Sequence, residues 1–390
     1  MSLAGIKVLD FTHLLPGETA STLLADMGAE VLRIDRLKPG LNENLPPLVA
    51  GESLYYWSMH RNKRRLRLNL KKEKAIEIVK SLVQNCDVVI ENFRPGAMER
   101  LGLAFADLKA INPALVYCSI SGYGKESKWK DRPGHDLTFV AEAGILDETR
   151  DESGIPVVPG VFVSDYMSGV YGALAVVSAL LERSTTGRGK HVEISMFESA
   201  LSTLGVVATA MLHPSQAGRE RETRYPEALP NHRLYRCKDG RYLAAAPVEP
   251  QFWQIFLEKI GRTDLLGKHP LKDKVFLMQQ IAPEIERKTL AEWMEIFKEP
   301  DCCVSPVNTV DEALDFLPEG RQRVISEIDH PILGKLSQMK NPIYQLYRNN
   351  DEAPDDFICL DTKEEANRVL RTLGYGDEEL SRLREDGVIE

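Results

Sequence analysis

The chain has no C-x-x-C pair; its six cysteines include only one close pair, the vicinal Cys302-Cys303. This pattern reads as reduced thiols in a cytoplasmic protein, with no metal expected. Positive charge is also in deficit, since 49 basic against 58 acidic side chains leave a net charge of −9. Nucleic acid and membrane surfaces call for a dominant positive field, so neither is expected as a partner. Anionic small molecules stay possible, because a local patch suffices. The opening Met1-Ser2-Leu3-Ala4-Gly5 lacks the basic-then-apolar pattern of a secretory leader. The longest largely apolar run, Met167 to Leu181, falls short of the ~20 residues that span a bilayer and reads as a buried helix. With 22 prolines, 27 glycines and 43% hydrophobic residues, the 390-residue chain is neither fibrous nor disordered. It is long enough for two or three packed units.

What is present is an alternation of short apolar strands and helices. Ile6 to Phe11 reads as a strand, Pro16-Gly17 opens a helix that stops at Met27-Gly28, and Val31 to Asp35 resumes as a strand. That is a βαβ unit with a parallel sheet. The turn His13-Leu14-Leu15-Pro16-Gly17-Glu18 lacks the G-x-G-x-x-G fingerprint, which disfavours a dinucleotide. The alternation continues with strands at Leu66 to Leu70, Asp87 to Glu91, Leu115 to Ser121 and Val192 to Ser195, and helices at Lys74 to Gln84 and Ala97 to Leu101. Residues 1–214 therefore form a large, doubly wound, Rossmann-like α/β domain. Residues 215–230, polar and carrying Arg219, Arg221 and Arg224, suit a linker. Lys238-Asp239-Gly240 marks a hairpin. Helices follow at Phe252 to Ile260 and at Val275 to Ile281, the second stopping before Pro283, so residues 231–325 form a smaller α+β domain. Residues 326–390 return to the large domain.

Three places could carry chemistry, and each also has a plain structural explanation. His135, in Gly134-His135-Asp136, could be an ordinary loop residue. Asp165 could cap a helix beginning at Tyr166. Glu249 precedes Pro250 at a helix start, where it would offset the helix dipole. A basic cluster, Arg61, Lys63, Arg64, Arg65 and Arg67, accompanies Arg33, Arg36 and Arg94 at strand ends. Cations at the carboxyl ends of parallel strands suit a phosphorylated ligand. Equally, Arg65-Leu66-Arg67-Leu68 could be a solvated edge strand.

Taken in order, several segments resemble the family III coenzyme A transferases, which include the α-methylacyl-CoA racemases. They are Leu3-Ala4-Gly5-Ile6-Lys7-Val8-Leu9-Asp10, Ala25-Asp26-Met27-Gly28-Ala29-Glu30-Val31, and Glu91-Asn92-Phe93-Arg94-Pro95-Gly96 with Leu101-Gly102-Leu103. Ser121-Gly122-Tyr123-Gly124, Thr186-Gly187-Arg188-Gly189, Cys303-Val304-Ser305-Pro306-Val307 and Leu373-Gly374-Tyr375 complete the match. The resemblance implies that Asp165 stands where transferases carry the aspartate that attacks an acyl-CoA thioester to form a mixed anhydride. In racemases the same carboxylate moves a proton. Gly-His-Asp at His135 and an acidic residue before Pro-Gln-Phe at Glu249 are features of the racemase branch. Two positions depart from it: Phe139 replaces a tyrosine, and Asn231-His232 replaces an aromatic pair.

The expected reaction is inversion of the α-carbon of a 2-methylacyl-CoA through an enolate, with His135 and Asp165 as the facing acid–base pair and Glu249 orienting the imidazole. The amides of the helix start near Asp165 are expected close to the thioester oxygen. CoA transfer to a carboxylic acid through an anhydride on Asp165 is the alternative, and a CoA-binding relative without chemistry is a third reading. The resemblance further implies coenzyme A contacts from Arg36, Arg61, Lys63, Arg94, Gly122 and Asp136. Coenzyme A would arrive as part of the substrate, with no permanently bound cofactor. An interlocked homodimer is implied, in which Glu249 serves the partner's site.

Overall fold

Valine- and isoleucine-rich segments buried on both faces make a parallel sheet, and this is the core of the larger unit in the computed structural model. The structure describes residues 2–151, 153–213, 229–299, 302–316, 324–330, 332–347, 356–358 and 362–390. Six strands, β1 (Lys7–Asp10), β2 (Glu30–Asp35), β3 (Lys63–Arg67), β4 (Val88–Glu91), β5 (Val116–Ser121) and β6 (His191–Ser195), pair in the order β3-β2-β1-β4-β5-β6. Every pairing is parallel. This is the doubly wound order, whose direction reverses between β1 and β4.

Helices cover both faces. On one, Leu9, Val89 and Tyr117 pack with Ile78 and Val79 of α2 (Glu73–Val83) and with Leu370 and Leu383 near the C-terminus. On the other, Val8, Ile90 and Ile120 pack with Leu24 of α1 (Leu15–Asp26) and with Ala173 and Val176 of α4 (Val163–Thr186). Two shorter helices, α3 (Asp136–Glu142) and α5 (Met196–Ser202), complete this side. Small residues allow α1 and α4 to cross closely. A Cβ on Gly169 would lie 2.6 Å from both the Pro16 carbonyl oxygen and Thr19 Cβ.

Three expectations change. The apolar run from Met167 is not a fully buried helix: α4 has 24 residues, and its outer side carries exposed Tyr166, Val170, Leu174 and Leu181. By length and composition alone it could cross a membrane, the one such helix among the described residues. One side, however, is packed into the core. The edge strand β3 begins at Lys63 rather than Leu66, because its charged residues are buried in ion pairs that hydrophobic patterning does not register. Pro283 lies inside the helix Lys274–Ile285, which closes two residues later and so forgoes a single internal hydrogen bond.

The second unit spans residues 205–321, and the first takes 1–204 with 322–390. The boundary expected at 325 falls instead within the first unit, at the start of the strand Ile325–His330. The expected linker lies outside the described residues except for its last two positions. The second unit has a three-stranded antiparallel sheet, Val304–Pro306 beside Tyr242–Ala245 beside Arg233–Arg236. Its core is aromatic: Phe256 stacks between Trp253 and Phe297 at 5.6 and 5.7 Å.

Candidate active site

Chain segments leaving β1, β2, β4 and β5 enclose a cleft of about 390 Å³, where the strand order reverses. Such switch points are where open α/β sheets hold ligands. His13 and Leu14 leave β1, Arg36 leaves β2, Asn92 to Pro95 leave β4, and Ser121-Gly122 leaves β5. Lys130, Arg132, His135, Phe139 and Asp165 also line it.

The structure thus brings His135, Asp165, Arg36, Arg94 and Gly122 to one cleft. Asp165 is not the helix cap, since α4 starts at Val163 and places it in the first turn. The cap is Asp136, whose Oδ1 accepts from the Ser164 and Asp165 amides at 2.7 and 3.2 Å. The Asp136 carboxylate therefore serves the helix, and Asp136 is not among the residues that line the cleft. The amides expected to face a thioester oxygen are likewise occupied by that carboxylate. Burial, and then the neighbouring Asp136 charge, push the Asp165 carboxyl up to about 7.

His135 stands exposed on the cleft wall, immediately before α3, with its backbone held by reciprocal bonds to Thr138 at 3.0 and 2.8 Å. Phe139 wedges its ring against that turn. A Cβ on Gly134 would come within 2.5 Å of the ring, and one on Gly122 within 3.0 Å. Glu249 belongs to the second unit, exposed at the start of helix Pro250–Lys259, where its side chain makes no capping bond. Asn231, also in the second unit, is buried, with its amide nitrogen donating to the Pro247 carbonyl at 3.5 Å.

The basic cluster divides. Arg36 and Arg94 are exposed and line the cleft. Arg61 and Lys63, expected at coenzyme A, are buried away from it: Arg61 forks onto Asp26 at 3.0 and 2.6 Å, and Lys63 donates to Ser21 Oγ at 2.8 Å. Arg65 and Arg67 are neither solvated nor free for phosphate. Arg65 pairs with Asp35 at 3.0 Å and with Glu43 at 2.8 Å, and Arg67 with Glu43 at 2.5 Å. Arg33 and Arg65 hold the Asp35 carboxyl far below the usual range despite its burial.

Three cleft residues with ionisable side chains, His13, Lys130 and Arg132, escaped the sequence reading. Burial, reinforced by Arg33 and Arg36, lowers His13 to about 4, so its imidazole is neutral at neutral pH. It meets Phe93 edge-on at 5.4 Å. Lys130 adds positive charge, and Arg132 reaches the cleft while paired with Glu142 at 2.5 Å. A histidine just past the first strand and the run Lys128-Trp129-Lys130-Asp131-Arg132 were the available signals.

A family model described as CoA-transferase family III matches residues 3–379. The chain is 29% identical to human succinyl-CoA:glutarate CoA-transferase, over 100% of this chain and 90% of that protein. It is 30% identical to human alpha-methylacyl-CoA racemase, over 100% of this chain and 98% of that protein. A crystal structure of a CAIB/BAIF family protein from Brucella suis superimposes with a TM-score of 0.80 at 25% identity, covering 95% of this chain and 99% of that one.

Proposed function

Because the chain belongs to CoA-transferase family III, we propose that it binds an acyl-CoA thioester in the cleft above β1 and β4 and inverts the α-carbon of a 2-methylacyl group. The supporting observation is the presence in one cleft of His135 and of an Asp165 whose proton affinity lies near neutrality. A group that both takes and returns a proton works best with its pKa near the working pH. An attacking carboxylate must instead be ionised. Arg36 and Arg94, with Lys130, would grip the phosphates of coenzyme A, for which the planar guanidinium fork is suited. One catalytic group removes the α-proton and leaves an enolate; the other delivers a proton to the opposite face. The cleft cations and the neutral His13 are the groups that could stabilise the enolate oxygen.

Relatives of similar identity include transferases, so the test must separate the two reactions. In deuterated water, a chiral 2-methylacyl-CoA is expected to lose optical purity and gain α-deuterium without acyl exchange into an added carboxylic acid. The His135→Ala variant should lose about 10²–10⁴ of that rate. An acyl-enzyme trapped by hydroxylamine, lost in Asp165→Ala but kept in His135→Ala, would overturn the racemase in favour of CoA transfer. Coenzyme A binding without either reaction would leave a binding module.

We also propose a homodimer. The apolar stripe Tyr166, Val170, Leu174 and Leu181 on α4 suits a covered surface, and in such a dimer the exposed Glu249 would serve the site of a second copy. Sedimentation should give twice the 43.8 kDa chain mass; a monomer at micromolar concentration would contradict it.

A further inference from the structure

The amides that open α4 are capped from a distance. A helix is normally capped by the residue just before it, but Phe162 holds that place and supplies no side-chain bond. The acceptor is Asp136, 28 residues away from Ser164, and its one Oδ1 atom takes both the Ser164 and the Asp165 amide. Asp136 is also the first residue of α3, directly after His135.

We infer that Asp136 is a positioning residue, which ties the His135 turn to the Asp165 turn and places a fixed negative charge beside the Asp165 carboxyl. The tie makes the two proposed proton carriers parts of one rigid corner. The charge reverses what a helix start does by itself, because a bare N-terminus favours an anion. Burial first, and then Asp136 seated there, instead lift Asp165 to about 7. The other groups facing Asp165 are few. Tyr55 and Tyr166 are phenols whose own proton affinity is raised by burial and by its charge, and Glu18 faces Tyr55. His135, Arg36, Arg94, Lys130 and Arg132 line the same cleft, Arg132 being paired with Glu142 at 2.5 Å.

The catalytic consequence rests on the proposed role of Asp165; the coupling itself does not. Asp136→Asn keeps a side-chain oxygen for the two amides and removes the charge. In protein labelled with ¹³C at the aspartate carboxyls, the Asp165 resonance, assigned by its loss in Asp165→Asn, should titrate about one pH unit lower in Asp136→Asn than in the wild type. If that variant does not fold, Asp136→Ser supplies another neutral cap and the same measurement. A cap with a purely structural role would lower the melting temperature and leave the Asp165 midpoint in place, and that result would overturn the inference. The pH profile of kcat should move with the midpoint while KM changes little. A midpoint that moves while the profile does not would uphold the coupling and defeat the proton-transfer role of Asp165.

Discussion

Replacing Asp165 by asparagine is expected to lower kcat for α-proton exchange by about 10²–10⁴ while leaving coenzyme A binding intact. The same change should stabilise the protein above neutral pH. In the folded chain this carboxyl holds its proton up to about 7, whereas an unfolded aspartate releases it near ~3.9. The raised value is a source of stability that is complete below the unfolded pKa and is lost as pH rises through the folded one. Above neutrality the wild type carries a charge that its surroundings disfavour, and asparagine does not. Thermal melts should therefore favour the variant at pH 8 and show the margin closing toward pH 4. A variant that is inactive yet no more stable at pH 8 would mean that the Asp165 environment does not resist the charge.

Arg61→Ala is expected to cost about 3–5 kcal/mol of folding stability, because it strands a buried carboxylate. Asp26 is buried and takes both forks of Arg61 together with the Asn341 amide at 2.7 Å. Arg61 also donates to the Met339 carbonyl at 3.1 Å, and its guanidinium lies 5.2 Å from the Tyr344 ring centre. It thereby fastens the end of α1 to the C-terminal part of the larger unit. Urea unfolding should show the loss, and neutralising Asp26 in the same chain should restore part of it, since the penalty comes from the unpaired anion. If Arg61→Ala kept its stability and bound coenzyme A less tightly, the ligand contact expected from sequence would stand.

These two residues also mark what could be read in the sequence. The βαβ rhythm was legible because a parallel sheet covered on both faces leaves near-continuous apolar runs, as in Val88-Val89-Ile90. His135 and Asp165 could be associated only through the resemblance, since thirty positions of chain separate them and no spacing rule brings them to one cleft. The fate of the arginines was not legible. Arg36 and Arg61 look alike in a sequence, and what distinguishes them is whether a carboxylate such as Asp26 folds back onto the guanidinium. The capping role of Asp136 was hidden for the same reason: its partners are backbone amides, which leave no trace in residue identity.

The crossing of α1 and α4 has a bearing on the chemistry at its edge. Gly169 follows Asp165 by one helical turn, on the same side of α4, and it sits where a single added carbon would collide with Pro16 and Thr19. Any side chain at 169 would have to lift the helix from its neighbour, and the carboxylate one turn away would travel with it. Since a displacement of about 1 Å at a reacting group can cost a hundredfold in rate, this hydrogen-sized gap acts as a gauge for the cleft. On the proposed role of Asp165, the fit between two helices would set the distance at which the carboxyl meets its substrate.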